Sequence, residues 1–282
     1  MLIERIRSDK GLMGPTHALS AVAFSLLVTW LASDFMFDTV LKSRDTIVFI
    51  TAIIIIVGSA LMPDLDAVKS TSINVLGVAG SILSTGMRAF SSLIQGIIKG
   101  PSDKSSDPHR GFWHTLVAAF LVGLLVKALT SINTVLFSFR GRDISISTLI
   151  VLFIIYMSIK LVLASLFKSF YNKNKSPSGQ LGMSIGSLVV SVLLVFMLAS
   201  NTDYSWVAGA VVFGWVAHIF GDMLTVAGVP VLFPLKIRGK RWWDLRFPLG
   251  IKAGGTIEMG VIIPLFMIII IVSLWNIIPL FF

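Results

Sequence analysis

The sequence contains no cysteine, which excludes a disulfide framework, a thiolate metal site and a thiol nucleophile. It is also poor in charge. Only 13% of its 282 residues are Asp, Glu, Lys or Arg, against roughly 25% in soluble domains, so the chain cannot cover a globular surface with groups that water solvates. Histidine occurs four times, and any metal must be held by those imidazoles and by carboxylates. What the chain has instead is apolar length: 55% of residues are hydrophobic and the mean hydropathy is +0.90. The solvent for most of it is lipid.

A membrane-spanning helix needs about 17 to 25 apolar residues. Uncharged runs of that order place spans at about 17–33, 46–62, 112–131, 144–166, 181–199, 204–221 and 256–276. The expected fold is all-α, a polytopic transmembrane bundle of about seven spans forming one domain over residues 1–282. Segment 73–98 is apolar but rich in Gly and Ser and is split by Arg88. It is read as a re-entrant hairpin, an interfacial helix or an eighth span. The stretch 223–233 is too short to span comfortably and is broken by Pro230 and Pro234. The basic segment before the first apolar run has no small-residue cleavage site after it, so it reads as the approach to a first anchor rather than a signal peptide.

Lys and Arg number 23 against 14 Asp and Glu, a formal charge of +9. Most of the excess falls on loops that share a side with the N-terminus, above all KIRGKRWWDLRF at 236–247. Cations beside two tryptophans suit an anionic headgroup layer, and the positive-inside tendency places that side in the cytoplasm. The seven tryptophans and 20 phenylalanines need no role beyond facing lipid or packing.

The residues able to carry chemistry gather at the ends of spans that face this one side. His17 opens the first span, His109 and His114 lie at the start of the third, and His218 sits near the end of the sixth. Asp64 and Asp66 close the second span in LMPDLD, Asp222 follows His218 in HIFGD, and Glu258 begins the last span in GGTIE. Ionisable groups at membrane depth are expensive and tend to be functional. His218 and Asp222, four residues apart, share a helix face. An extended stretch after Pro63 would turn Asp64 and Asp66 to one side. A break at Gly111 would let His109 and His114 converge. This is more donors than one tetrahedral ion uses, and it suits two or more divalent ions bridged by a carboxylate. Such a site clamps the attacking and leaving oxygens of a displacement at phosphorus.

GPTH (14–17), LMPDLD (61–66), HRGFWHT (109–115), HIFGDMLTVAGVPVLFP (218–234) and GGTIE (254–258) together resemble a family of inner-membrane metal-dependent hydrolases described as regulated by or binding the SOS repressor. That family is distantly similar to the zinc-dependent phospholipases C and single-strand nucleases. The resemblance implies a metal site of His17, Asp64, Asp66, His109, His114, His218 and Asp222, with zinc favoured over manganese or iron and two or three ions bound. It matches Glu258 to a late acidic position, and it implies a prokaryotic inner-membrane location. The soluble relatives also ligate metal through an N-terminal Trp, which this chain lacks.

Two functions of different class follow. The first is a hydrolase whose metal-activated water attacks a phosphate ester, a phospholipid or other lipid-linked phosphate, with Glu258 or a non-bridging aspartate as general base or water-orienting group and with Arg110 and the basic loop at 236–246 handling anionic groups. Its partners are membrane lipids, their anionic headgroups and a lipid or small-molecule phosphate, and nucleic acid stays open. The second is a divalent cation transporter or channel. It would continue polar residues across several spans, where this chain has mainly Lys160.

Overall fold

The computed structural model describes residues 14–67, 71–98, 111–166, 176–198, 203–248, 250–252 and 254–281. The helices are α1 (Gly14–Leu31), α2 (Thr46–Ser59), α3 (Thr71–Leu76), α4 (Val78–Ile98), α5 (Leu116–Thr130), α6 (Ile146–Leu166), α7 (Pro177–Leu198), α8 (Ser205–Met223) and α9 (Ile263–Ile277). Single 3-10 turns at Pro63–Asp66 and Phe112–His114 extend α2 and precede α5, and a π-helical turn at Glu258–Ile262 leads into α9. Among the described residues six segments are long and apolar enough to cross a membrane: Gly14–Leu31, Thr46–Asp66, Ile146–Ser165, Pro177–Leu198, Ser205–Met223 and Glu258–Leu280. The chain is an all-α membrane bundle.

The span expected at 112–131 is shorter than its apolar run. Its regular helix covers only the 15 residues of α5, about 22 Å. The reason is local: the Thr115 hydroxyl accepts from the Ala118 backbone N–H at 3.1 Å, an N-cap that starts the helix after His114 rather than before it. Asp45 does the same for α2, its Oδ1 accepting from Ile47 and Val48.

Helix α8 is the centre of the bundle, packed on α1, α2 and α5. Small residues set the distances. A Cβ on Gly214 would lie 2.2 Å from the Ile56 carbonyl oxygen of α2, and one on Gly58 would lie 2.4 Å from Ser158 of α6. Helices α7 and α9 lie at the edge, with 22% and 11% of their spans buried, so most of their side chains face lipid.

The loop between α5 and α6, read from sequence only as a connection, forms an antiparallel hairpin of β1 (Val135–Phe139) and β2 (Arg142–Ser145), with Val135 opposite Ser145 and Phe139 opposite Arg142. Arg140 and Gly141 both adopt positive φ, as a tight hairpin turn of matching twist requires. At the opposite end of the bundle, residues 224–248 fold back as a cover. Val229 pairs with Leu245, Phe233 stacks on Trp242 at 4.2 Å, and the Leu116 N–H donates to the Val231 carbonyl.

Candidate metal centre

Four helix ends deliver the histidines and aspartates to one place. His17 lies in the first turn of α1, Asp64 in the turn that closes α2, His114 in the turn before α5, and His218 and Asp222 in the last turns of α8. The rings of His17 and His218 stack with centroids 4.1 Å apart, and those of His114 and His218 lie 5.0 Å apart. Asp222 is the common neighbour: His17 Nε2 is 3.3 Å from its Oδ1, and both His114 Nε2 and His218 Nε2 are 3.4 Å from its Oδ2. Asp64 Oδ1 lies 3.8 Å from His218 Nε2 and 3.9 Å from His114 Nε2. The three histidines are fully buried, Asp222 nearly so, and the Asp64 side chain keeps 26% exposure, which leaves the centre open on the Asp64 side.

These spacings test whether the residues fit a metal. A charge-assisted hydrogen bond from imidazole to carboxylate sits at about 2.7–2.9 Å. Two donor atoms on one tetrahedral zinc, each about 2.0–2.1 Å from it, are about 3.3–3.4 Å apart. The contacts to Asp222 have the second spacing. Two triads, His17–His218–Asp222 and Asp64–His114–His218, each offer three donor atoms within 4.8 Å of one another. Among the described residues neither ring nitrogen of His17 has a hydrogen bond, a costly state for a buried imidazole unless something else takes its lone pair. The donors fit divalent cations that accept imidazole and carboxylate together: zinc, manganese or iron.

The imidazole of His218 is fixed from behind. Its Nδ1 is 2.7 Å from the Ala60 carbonyl oxygen, so Nδ1 carries the hydrogen and Nε2 turns its lone pair towards the carboxylates. This is the outer-sphere arrangement found around metal-bound histidine. The Phe112–His114 turn is held as firmly. Trp113 Nε1 donates to the Met87 carbonyl of α4 at 2.8 Å, and Trp215 Nε1 of α8 donates to the Trp113 carbonyl at 2.7 Å. Both tryptophans therefore position the turn that carries His114, a role composition alone could not reveal. Their only signal was adjacency, Trp113 beside His114 and Trp215 one turn before His218.

Segment 63–66 departs from the extended conformation expected of it. Pro63 starts a 3-10 turn, in which residues two apart do not share a face. Asp64 joins a donor triad, whereas Asp66 is buried and acts on His114 electrostatically without belonging to either. Glu258 is fully buried in the π-helical turn at the same end of the bundle, where its Oε2 accepts from the Gly254 N–H at 2.6 Å. Gly254 has φ +69°, a left-handed conformation that glycine adopts without strain. Glu258 is in neither triad. His109 and Arg110 lie outside the described residues.

No curated protein and no solved structure matches the chain. The model of the YdjM inner membrane protein family matches residues 12–167, a stretch that holds His17, Asp64 and His114 and stops short of His218 and Asp222. That match spans more than half of the sequence, and the chain belongs to this inner-membrane family.

Proposed function

We propose that the protein is a membrane-embedded, metal-dependent hydrolase of a phosphate ester, its substrate a phospholipid or another lipid-linked phosphate. The observation that carries this reading is the convergence of three buried imidazoles on the Asp222 carboxylate at donor-to-donor spacing, with Asp64 completing a second triad on the open side. His17, His218 and Asp222 would hold one ion, and Asp64, His114 and His218 mark the edge of a second or a shifted position. A bound divalent cation supplies Lewis acidity towards phosphoryl oxygens and lowers the pKa of water.

The chain's own groups do the rest. Asp222 and Asp64 place negative charge where a cation is wanted, and the Ala60 carbonyl keeps His218 in the tautomer that can donate. Glu258, at the same end of the bundle, is assigned the role of proton acceptor or water-orienting group. Arg110, one residue before Gly111, is assigned to a phosphate oxygen, for which a guanidinium fork is suited. A site at the ends of helices lies at headgroup depth, so a lipid substrate keeps its acyl chains in the bilayer. Exposing those chains would cost about 0.8 kcal/mol per CH₂. The distant similarity to zinc-dependent phospholipases C and nucleases that the family resemblance of the sequence implies supports the choice of phosphate. The rival transport reading gains little from the spans: buried Lys160 donates to Ser184 of α7 at 3.0 Å and lies over the Tyr156 ring, not in a chain of cation ligands.

The test is purification in detergent, elemental analysis, and assay against phospholipids, isoprenoid phosphates and nucleotides. Release of a headgroup or phosphate that stops on chelation and returns with added metal is the expected result. No turnover on that panel, combined with metal flux into proteoliposomes, would put the transporter in its place.

A further inference from the structure

Helix α4 has three faces. Gly80, Ser84, Met87 and Ser91 are buried, and the helix packs on the Pro63–Asp66 turn, the Phe112–His114 turn and α3. Its last turns rest on the start of α5 and on the cover after α8, Ile94 and Ile98 packing against a cluster of Phe112, Ala118, Phe233 and Trp242. Val78, Ile82, Leu93 and Ile97 are 58% to 78% exposed. At about 100° per residue these four lie on one side of the helix, within an arc of about 100°. Ser81, Thr85 and Ser92 are also exposed, and together with Arg88, whose guanidinium reaches the Thr85 hydroxyl, they occupy a separate arc. The helix thus shows one side to protein, one apolar and one polar.

That division selects among the three readings the sequence allowed. A transmembrane span packs along other spans, whereas α4 packs mainly on turns at one end of the bundle. A re-entrant hairpin needs two limbs of similar depth, but α3 has six residues and reaches only about 9 Å. A helix bathed in water would not display Val78, Ile82, Leu93 and Ile97 in one row. An interfacial helix has the observed partition, apolar side in the acyl boundary and polar side among headgroups.

We propose that α4 lies in the plane of the leaflet on the metal-centre side and that its outer apolar side is covered by acyl chains. The occupant follows from continuity, because the spans of this inner-membrane protein present the same kind of surface to the same leaflet. It follows also from charge: Arg88, the one charged residue of α4, stands in the polar arc, where anionic phosphates meet it. Nothing in this inference depends on what the histidine and aspartate cluster does.

The chain has no native cysteine, so single cysteines at 78, 82, 93 and 97 and at 81, 85 and 92 can each carry a nitroxide. The protein is reconstituted in vesicles of phosphatidylethanolamine and phosphatidylglycerol, and collision with oxygen is compared with collision with a water-soluble nickel chelate. The ratio is expected to oscillate with a period of 3.6 residues, high at the apolar positions and low at the polar ones, with 78 and 97 at similar shallow depth. Depth that increases steadily from 78 to 97 would make α4 a span or a re-entrant limb. Nickel access at all seven positions would make it a water-exposed helix. Either result overturns the proposal. Because the outcome is a pattern over seven exposed sites, failure of one variant to fold does not decide it.

Discussion

Asp222 Oδ1 lies 3.3 Å from Nε2 of His17, although the two residues belong to the helices that open and nearly close the sequence. A carboxylate in this position is the pivot of the centre, since its other oxygen faces His114 and His218. Asp222→Asn keeps the shape and removes the charge. Loss of an outer-sphere partner alone costs 10- to 100-fold in metal affinity, so loss of this carboxylate is expected to weaken binding by more than about 100-fold. Elemental analysis of the purified variant should show the ion gone, and undiminished metal content would remove Asp222 from the ligand set.

Asp64 and Asp66 should differ. Only Asp64 belongs to a donor triad, so Asp64→Ala is expected to lower metal content more than Asp66→Ala. The latter should act mainly on stability, because Asp66 is buried beside the centre. Metal titration and thermal melting in detergent separate the two effects, and equal metal loss in both variants would mean that Asp66 is also a ligand.

The centre should open to the cytoplasm. Ser176, before α7, is exposed at the end of the bundle that carries the centre, and Ser138 is exposed on the hairpin at the other end. With an impermeant thiol reagent on intact cells, Ser138→Cys should be labelled and Ser176→Cys only after lysis. The reverse pattern would invert the topology.

Close contact between α8 and α2 should not tolerate a methyl group. A Cβ at position 214 meets the Ile56 carbonyl at 2.2 Å, whereas one at position 86 meets nothing within 4 Å. Gly214→Ala is expected to destabilise by about 1–3 kcal/mol. Gly86→Ala should be neutral or stabilising by up to about 1 kcal/mol. Melting temperatures of the two variants in one detergent check both signs.

The spans were legible because lipid demands long uncharged runs, and five residues of the candidate centre were legible because His and Asp stand out against such runs. The particulars that orient them were not. The 3-10 turn that separates Asp64 from Asp66 depends on how Pro63 leaves α2. The Ala60 carbonyl that fixes His218 is a backbone atom with no side-chain signature. The tryptophan hydrogen bonds at Met87 and Trp113 join residues 26 and 102 positions apart, beyond the reach of any local pattern. The hairpin at 135–145 was hidden by its Arg140–Gly141 turn, which lacks the Asn-Gly or Asp-Gly pair that usually announces one.

His218 belongs to both donor triads, and this dictates an order of events during biosynthesis. His17, Asp64 and His114 leave the ribosome long before α8 does. Until α8 is inserted neither triad is complete, so the nascent chain holds neither set of three donors. On the proposed reading metal loading is then a late step, taken after the bundle has assembled, and a translation product truncated before α8 would lack both donor triads.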